Sequence, residues 1–351
     1  MRSLIPVLLL GSAVAACSGG GGSSGGGGGT VVTPTPTPAP GSTPTPLPTT
    51  TPTPTPASTE PATGSDFTAG IAALYSTQAD ITACQAGVLK PEVGARVLAT
   101  LNDIRAHHRL PAVTYASTED AAVQQSALMM AANGQLSHTP PSTWNCYTAA
   151  GATAAGQSNI YLGMGGGLRY TQDADILIGW LTDTNNLVAN NIGHRRWLLH
   201  PFLSTISYGR VAGRYQTSNR TDGASIKVIN SSQNTAGPLP DYVAYPFEDY
   251  PARYFDTSAL LSFGVIANKS SNFGANSAVN FSAATISVRV RGGAALTVSN
   301  ISFDNDGYGL PNNLQWSVAG LAANTIYDVT ISNVTVSGAT RSYSYYFRLV
   351  P

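Results

Sequence analysis

The side chains best suited to chemistry in this 351-residue chain are its five histidines and a few carboxylates. Two histidines sit in informative settings. His138 lies in Leu136-Ser-His-Thr-Pro140, and His194 opens Gly193-His-Arg-Arg-Trp-Leu-Leu-His200-Pro201. A neutral imidazole can relay a proton or ligate a metal through either ring nitrogen. His107 and His108 are adjacent, so on a helix they point apart, one to the core edge and one to solvent. His200, in a turn before Pro201, reads as structural. Arg195 and Arg196 are expected to pair with aspartates at the surface. Asp304-Asn-Asp306-Gly307 is rich in oxygen ligands but has no downstream bidentate Glu, and a hairpin turn explains it better than a calcium loop.

The elements around these residues follow from periodicity. Val93, Val97, Leu101, Ile104 and His108 recur at three- and four-residue steps and predict a helix. Ser117 with Asp120 reads as an N-cap and its partner, followed by a helical face of Ala121, Gln125, Leu128 and Ala132 that Asn133-Gly134 stops. His138 therefore follows the second helix. A third helix is expected from about Thr171 through Ile176, Leu177, Trp180 and Leu181, ahead of His194, and residues 206–211 and 225–229 read as strands. Beyond about residue 230 the period becomes two, with β-branched and aromatic runs at 278–281, 285–290, 296–298, 314–318, 327–331 and 343–350. Turn residues such as Gly292-Gly293 and Asn312-Asn313 separate them, which predicts an antiparallel, immunoglobulin-like β-sandwich. The aromatic, Pro-rich stretch from Pro238 to Pro251 reads as a linker packed on both regions.

Composition narrows the function. The chain has 18 basic and 18 acidic residues, net charge zero, and only 10% charged residues. With no basic run it has no face for nucleic-acid phosphates. Arg2, an apolar run from Leu4 to Leu10, and small residues before Cys17 form an export signal too short to span a membrane. Val14-Ala-Ala-Cys17 resembles the lipobox of bacterial lipoproteins, which implies acylation of Cys17, a membrane partner and, in a Gram-negative cell, outer-membrane sorting. Residues 18–65, Gly/Ser-rich and then a Thr-Pro repeat, read as a disordered spacer, with a reach on the order of 100 Å at about 3.1 Å per residue where extended. Export leaves Cys84 and Cys146 as the expected disulfide, because neither has the further sulfur or nearby His of a metal site.

Taken in order, Leu101-Asn-Asp-Ile-Arg105, Ser137-His138-Thr139, Gln157-Ser-Asn-Ile-Tyr161, Trp180-Leu-Thr-Asp183 and Gly193-His-Arg-Arg-Trp-Leu-Leu resemble the CAP superfamily. That family is also called the SCP domain and includes cysteine-rich secretory proteins, antigen 5 and pathogenesis-related proteins. The resemblance covers about residues 93–211 and implies an α-β-α sandwich with a cleft holding two histidines and two acids. Together with the strand pattern beyond residue 230, it predicts an α+β chain with a CAP domain at 66–230 and the sandwich at 231–351. In that cleft His138 and His194 match the two histidines, Ser158 stands where the family has a glutamate, and Asp183 stands at the second acid.

His138, His194 and Asp183 are the candidate ligands for Zn²⁺, with one position left for water. The missing glutamate would have been the natural general base, and Ser158 cannot take that role near neutral pH. A Ser158–His–Asp183 nucleophile set lacks a Gly-x-Ser-x-Gly elbow. The leading expectation is a binding module for an envelope or extracellular ligand. Its rivals are a metal-assisted hydrolase of envelope peptide or glycan, and a structural or adhesive surface protein.

Overall fold

A computed structural model describes residues 60–215, 219–234 and 237–351. The export signal, Cys17 and the spacer as far as residue 59 lie outside the described residues. The elements begin with α1 (Phe67–Ala72), β1 (Tyr75–Thr77), β2 (Val88–Leu89), α2 (Pro91–His107), β3 (Thr114–Tyr115), α3 (Asp120–Asn133) and α4 (Ala149–Gly156). They continue with β4 (Ser158–Gly165), α5 (Asp173–Thr182), α6 (Gly193–Leu198), β5 (Thr205–Tyr215) and β6 (Asn219–Lys227). Strands β3, β5, β6 and β4, in that order, make one sheet.

Strand alternation gives this sheet two faces. Ile206, Tyr208, Ala224 and Ile226 join Val97, Leu101 and Ile104 of α2 and Ile176, Leu177 and Trp180 of α5 in one core. Each such fully buried aliphatic side chain contributes about 1.5–3 kcal/mol. On the other face Val211 packs against Ala127, Leu128 and Ala131 of α3. Glycines allow that approach: a Cβ on Gly209 would meet the Gln124 nitrogen at 2.6 Å, and one on Gly223 the Ala127 oxygen at 2.6 Å. The layers are thus helix, sheet, helix. The capping box expected at Ser117 does not form. Ser117–Glu119 is a 3-10 turn, α3 starts at Asp120 without a side-chain cap, and Asp120 instead accepts a hydrogen bond from Ser207 Oγ at 2.7 Å. Helix α3 stops at Gly134, whose φ of 58° an L side chain rarely adopts.

Charge is buried at the centre of this region. Arg210 Nη1 reaches Asp173 at 2.8 Å, and its Nε and Nη2 bind Asp222 at 2.9 and 2.6 Å. The network extends to Glu60, which accepts hydrogen bonds from Tyr170 Oη and the Asp173 N–H and pairs with Arg96 at 3.1 Å. Thr63 Oγ1 donates to Asp175 Oδ2, and Gly64 N–H to the Tyr170 carbonyl. Residues 60–65, expected to belong to a disordered spacer, are therefore bonded to the fold. Cys84 and Cys146 form the disulfide, with Cα atoms 5.1 Å apart.

The C-terminal region adds β7 (Tyr242–Tyr245), β8 (Glu248–Pro251), β9 (Leu261–Val265), β10 (Thr285–Val290), β11 (Val298–Asp304), β12 (Asn313–Val318), β13 (Ile326–Val336) and β14 (Ala339–Val350). It is all-β, with two four-stranded sheets ordered β10-β13-β14-β8 and β11-β12-β9-β7. Phe263, Trp316, Val329, Ile331 and Phe347 fill the space between them. The expectation of a wholly antiparallel sandwich is corrected at one edge, where β8 runs parallel to β14 with Phe347 opposite Glu248. Parallel neighbours need a long crossover, and here everything between the two strands supplies it. The linker packs both ways: Tyr245 and Tyr250 join the first core and Phe247 the second.

Candidate functional site

His138 is placed by the end of α3. After the left-handed turn at Gly134 the chain carries Leu136 onto Met130, Ala155 and Ile160. His138 then comes within reach of α4, where its Nδ1 contacts the Ala155 carbonyl at 3.0 Å. A carbonyl only accepts, so Nδ1 carries a proton, and in a neutral ring Nε2 then keeps its lone pair. No protein group among the described residues meets that Nε2.

His194 is placed by Asp183. Asp183 ends α5 in a left-handed conformation, φ 58°, which turns its carboxylate toward α6. Oδ2 accepts the N–H of His194 at 3.1 Å and of Arg195 at 3.4 Å. Oδ1 accepts His194 Nδ1–H at 2.8 Å and Asn186 Nδ2–H at 3.0 Å. The carboxylate caps a short helix and aims an imidazole. As at His138, an acceptor holds Nδ1–H and Nε2 is left free.

Arg195 points the opposite way. It is fully buried and gives Nε–H to the Leu181 carbonyl at 2.6 Å, Nη2–H to Thr182 at 2.7 Å, and Nη1–H to Leu260 at 2.6 Å. Its guanidinium lies 3.9 Å from the centre of the Tyr245 ring. The expected surface pairing with an aspartate is thus corrected for Arg195, because the last carbonyls of α5 are nearer acceptors. Arg196 keeps it, through Asp304 at 2.7 Å. That contact and one from Asn313 Nδ2 at 3.2 Å commit the Asp304 carboxylate to protein partners.

His138, Asp183 and His194 line one cleft of about 430 Å³. Its walls include Ile160, Tyr161 and Leu162 from β4, Asp175, Ile176, Gly179 and Trp180 from α5, and Leu187 and Val188 from the following loop. Trp180 is fixed by its Nε1–H donating to the Ile160 carbonyl at 3.1 Å. No Lys or Arg is among the lining residues. Periodicity did not single out Asp175 or the loop at 185–188; the acid at the start of α5 was the signal available.

Ser158 is not part of this lining. It is buried, and its Oγ donates to the Ala154 carbonyl at 2.7 Å. A side chain this short turns back onto the last turn of α4, so the Ser158–His–Asp183 nucleophile set does not assemble. Both oxygens of Asp183 already accept hydrogen bonds, from the α6 backbone, His194 and Asn186. Among the described residues no group of three His, Cys, Asp or Glu side chains could hold a metal ion.

The other histidines are structural. His108 gives Nδ1–H to the Ala244 carbonyl at 2.8 Å, and its Nε2 lies 3.1 Å from Tyr250 Oη. Burial pushes His108 and His200 each down to about 3. His107 is lowered by partial burial and edges against Tyr250 and Tyr254.

Comparison with protein families agrees with this geometry. Residues 98–221 match the family model described as CAP, the cysteine-rich secretory protein family. The chain carries a CAP domain. The match spans α2 to the start of β6 and so includes every residue of the cleft. No curated protein matches the chain. Among the described residues no helix is long and apolar enough to cross a membrane.

Proposed function

We propose that this protein is a lipid-anchored, extracytoplasmic binding module whose CAP cleft, built around His138 and His194, takes an envelope or extracellular ligand. One observation carries the proposal. Two imidazoles from separate elements each have Nδ1 held by an acceptor, and both line the same apolar-walled cavity. Polar atoms fixed in orientation and left unpaired in a concave site are what a small-ligand pocket requires. Acylation of Cys17 would anchor the chain, and a disulfide suits an oxidising compartment outside the cytoplasm. The C-terminal sheets, read as an immunoglobulin-like sandwich, brace the CAP domain through Arg195 and Tyr245.

Zinc fits this cleft poorly. Protein zinc sites take three or four protein ligands, and here two imidazole nitrogens are available while Asp183 is committed elsewhere. The cleft therefore suits a binding module better than a metal-assisted hydrolase.

Two experiments test the proposal. Gly179 lines the cleft, and a Cβ there would meet nothing within 4 Å, so Gly179→Phe should fill the cavity and leave the fold intact. Small fragments are screened against the full chain by saturation-transfer NMR. Hits that Gly179→Phe and His138→Ala/His194→Ala both abolish support the cleft, whereas hits indifferent to both variants, or no hits, overturn it. For the anchor, cells are fed labelled palmitate. The label should enter the wild-type chain and be lost in Cys17→Ala; an unlabelled wild type refutes the lipoprotein reading.

A further inference from the structure

Every residue lining the cleft lies between Leu136 and His194, yet the loop at its mouth is held from the other half of the chain. Asn185, Asn186, Leu187 and Val188 of that loop line the cavity. Leu187 is 81% and Val188 60% exposed, so burial does not anchor them. The hydrogen bonds within the loop are local: Val188 N–H donates to Asn186 Oδ1 at 2.9 Å, and Asn191 N–H to the Val188 carbonyl at 3.1 Å. Among the described residues one hydrogen bond reaches residues 184–191 from outside 183–194. Gln315 Nε2, on β12, donates to the Asn190 carbonyl at 2.6 Å.

Gln315 belongs to a buried relay. Asn313 Nδ2 donates to Gln315 Oε1 at 3.0 Å and to Asp304 Oδ2 at 3.2 Å, and Asp304 Oδ1 accepts from Arg196 Nη1 at 2.7 Å. The relay thus leaves the CAP domain at α6 and returns to it at the mouth of the cleft. Asn313 and Gln315 are both buried, where a hydrogen bond is stronger than in water and an orphaned group costs more. A glycine lets the sandwich come this close: Gly309 has φ 62°, and a Cβ there would collide with the Arg196 carbonyl oxygen.

We propose that Gln315 is a positioning residue for the cleft: the relay Asp304–Asn313–Gln315 fixes where Leu187 and Val188 stand, and through it the C-terminal region shapes the mouth. This step rests on the binding reading above. A ligand that covers two exposed apolar side chains gains from their burial. It gains more where the loop is already in place, because binding then need not order it.

The test uses the full chain with the Leu and Val methyl groups labelled with carbon-13. Gln315→Met keeps the length of the side chain and removes the bond to Asn190. Val288→Ala, in the core of the opposite sheet, is the control for general loosening. Gln315→Met should shift the Leu187 and Val188 methyl signals and leave those of Leu162, on the β4 wall, in place. Asp304→Asn, at the more exposed end of the relay, should move the same two signals, and Val288→Ala should move none of them. Fragments whose saturation-transfer signal Gly179→Phe abolishes should bind Gln315→Met about three- to tenfold more weakly than wild type, the loss of one hydrogen bond, and Val288→Ala unchanged. Leu187 and Val188 signals that stay put in Gln315→Met, or in Asp304→Asn should Gln315→Met not fold, overturn the proposal. So do signals that move as far in Val288→Ala, or fragment affinities that Gln315→Met leaves unchanged. If no fragment binds the wild-type chain, the binding reading fails, and the methyl signals alone then decide whether Gln315 positions the loop.

Discussion

Between α2 and β6 the interior holds Arg105, Asp173, Asp183, Arg195, Arg210 and Asp222, all nearly inaccessible. Beyond β8 the buried polar side chains among the described residues carry no charge: Ser262, Asn272, Asn276, Asn312, Asn313 and Gln315. The two halves use their polar interiors differently. In the CAP region guanidinium and carboxylate groups collect helix ends and loop carbonyls, and one of them, Asp183, sets where His194 points. In the C-terminal sheets, amides stitch loops to strands around an aromatic core. A chain with so few charged residues thus places several of them inside, close to the site that needs a fixed geometry.

The sharpest way to break this contrast is Arg210→Ala. It would strand Asp222 as a buried, uncompensated charge, leave Asp173 to Arg96 alone, and should cost about 3–5 kcal/mol, read from the denaturation midpoint. Acid should separate the halves in the same direction. With folded-state values of about 3 for His108 and His200 against 6.5 unfolded, the unfolded chain binds more protons between those limits. The stability these neutral rings confer is complete above pH 6.5 and is lost as pH falls towards 3. At pH 4.5 the loss should be about 2–3 kcal/mol per histidine. His108→Gln and His200→Gln should each flatten the pH profile, and a profile unchanged in both would show that neither ring is held neutral. Glu60, raised by burial and by Asp173, acts in the opposite sense, so the variant-to-wild-type difference is the quantity to compare.

In the sandwich, Asn312 accepts from the Val265 N–H at 2.7 Å and donates to the Val265 and Asn276 carbonyls at 2.9 Å each. Asn312→Ala should cost about 1–3 kcal/mol, below Arg210→Ala, because uncharged groups are left unpaired. The smallest effect belongs to Ser158→Ala. Loss of its single hydrogen bond to Ala154 should cost about 0.5–1.5 kcal/mol and leave ligand binding in the cleft unchanged. A large loss of binding would put Ser158 back in the site.

Periodic helices with a wide apolar stripe were legible from residues alone. α2 and α5 lie where Val93 to His108 and Ile176 to Leu181 indicate, and Gly134 stops α3 as its position predicts. Elements without contrast were not. α4, Ala-Ala-Gly-Ala-Thr-Ala-Ala-Gly, has no large side chain to mark a face, and β4 shows no regular alternation because both its faces are covered near its start. For the site, the motifs brought His138, Asp183 and His194 together, and the structure lines one cleft with all three. Motif order could not show that Asp183 spends its oxygens on the α6 backbone and an imidazole, since that depends on one left-handed residue at the end of α5. Nor could it show that Ser158 folds back, because strand phase decides which way a short side chain points.

The hydrogen bonds at Glu60 and Thr63 have a mechanical meaning. They join the first described residues to Tyr170, Asp173 and Asp175, at the beginning of the helix that forms one wall of the cleft. Tension applied to the chain upstream of residue 60 would enter the domain there, beside the pocket, before reaching the sheet. Pulling on the chain ahead of residue 60 and occupying the pocket therefore load the same helix, and a single-molecule stretching trace should register whether the pocket is full.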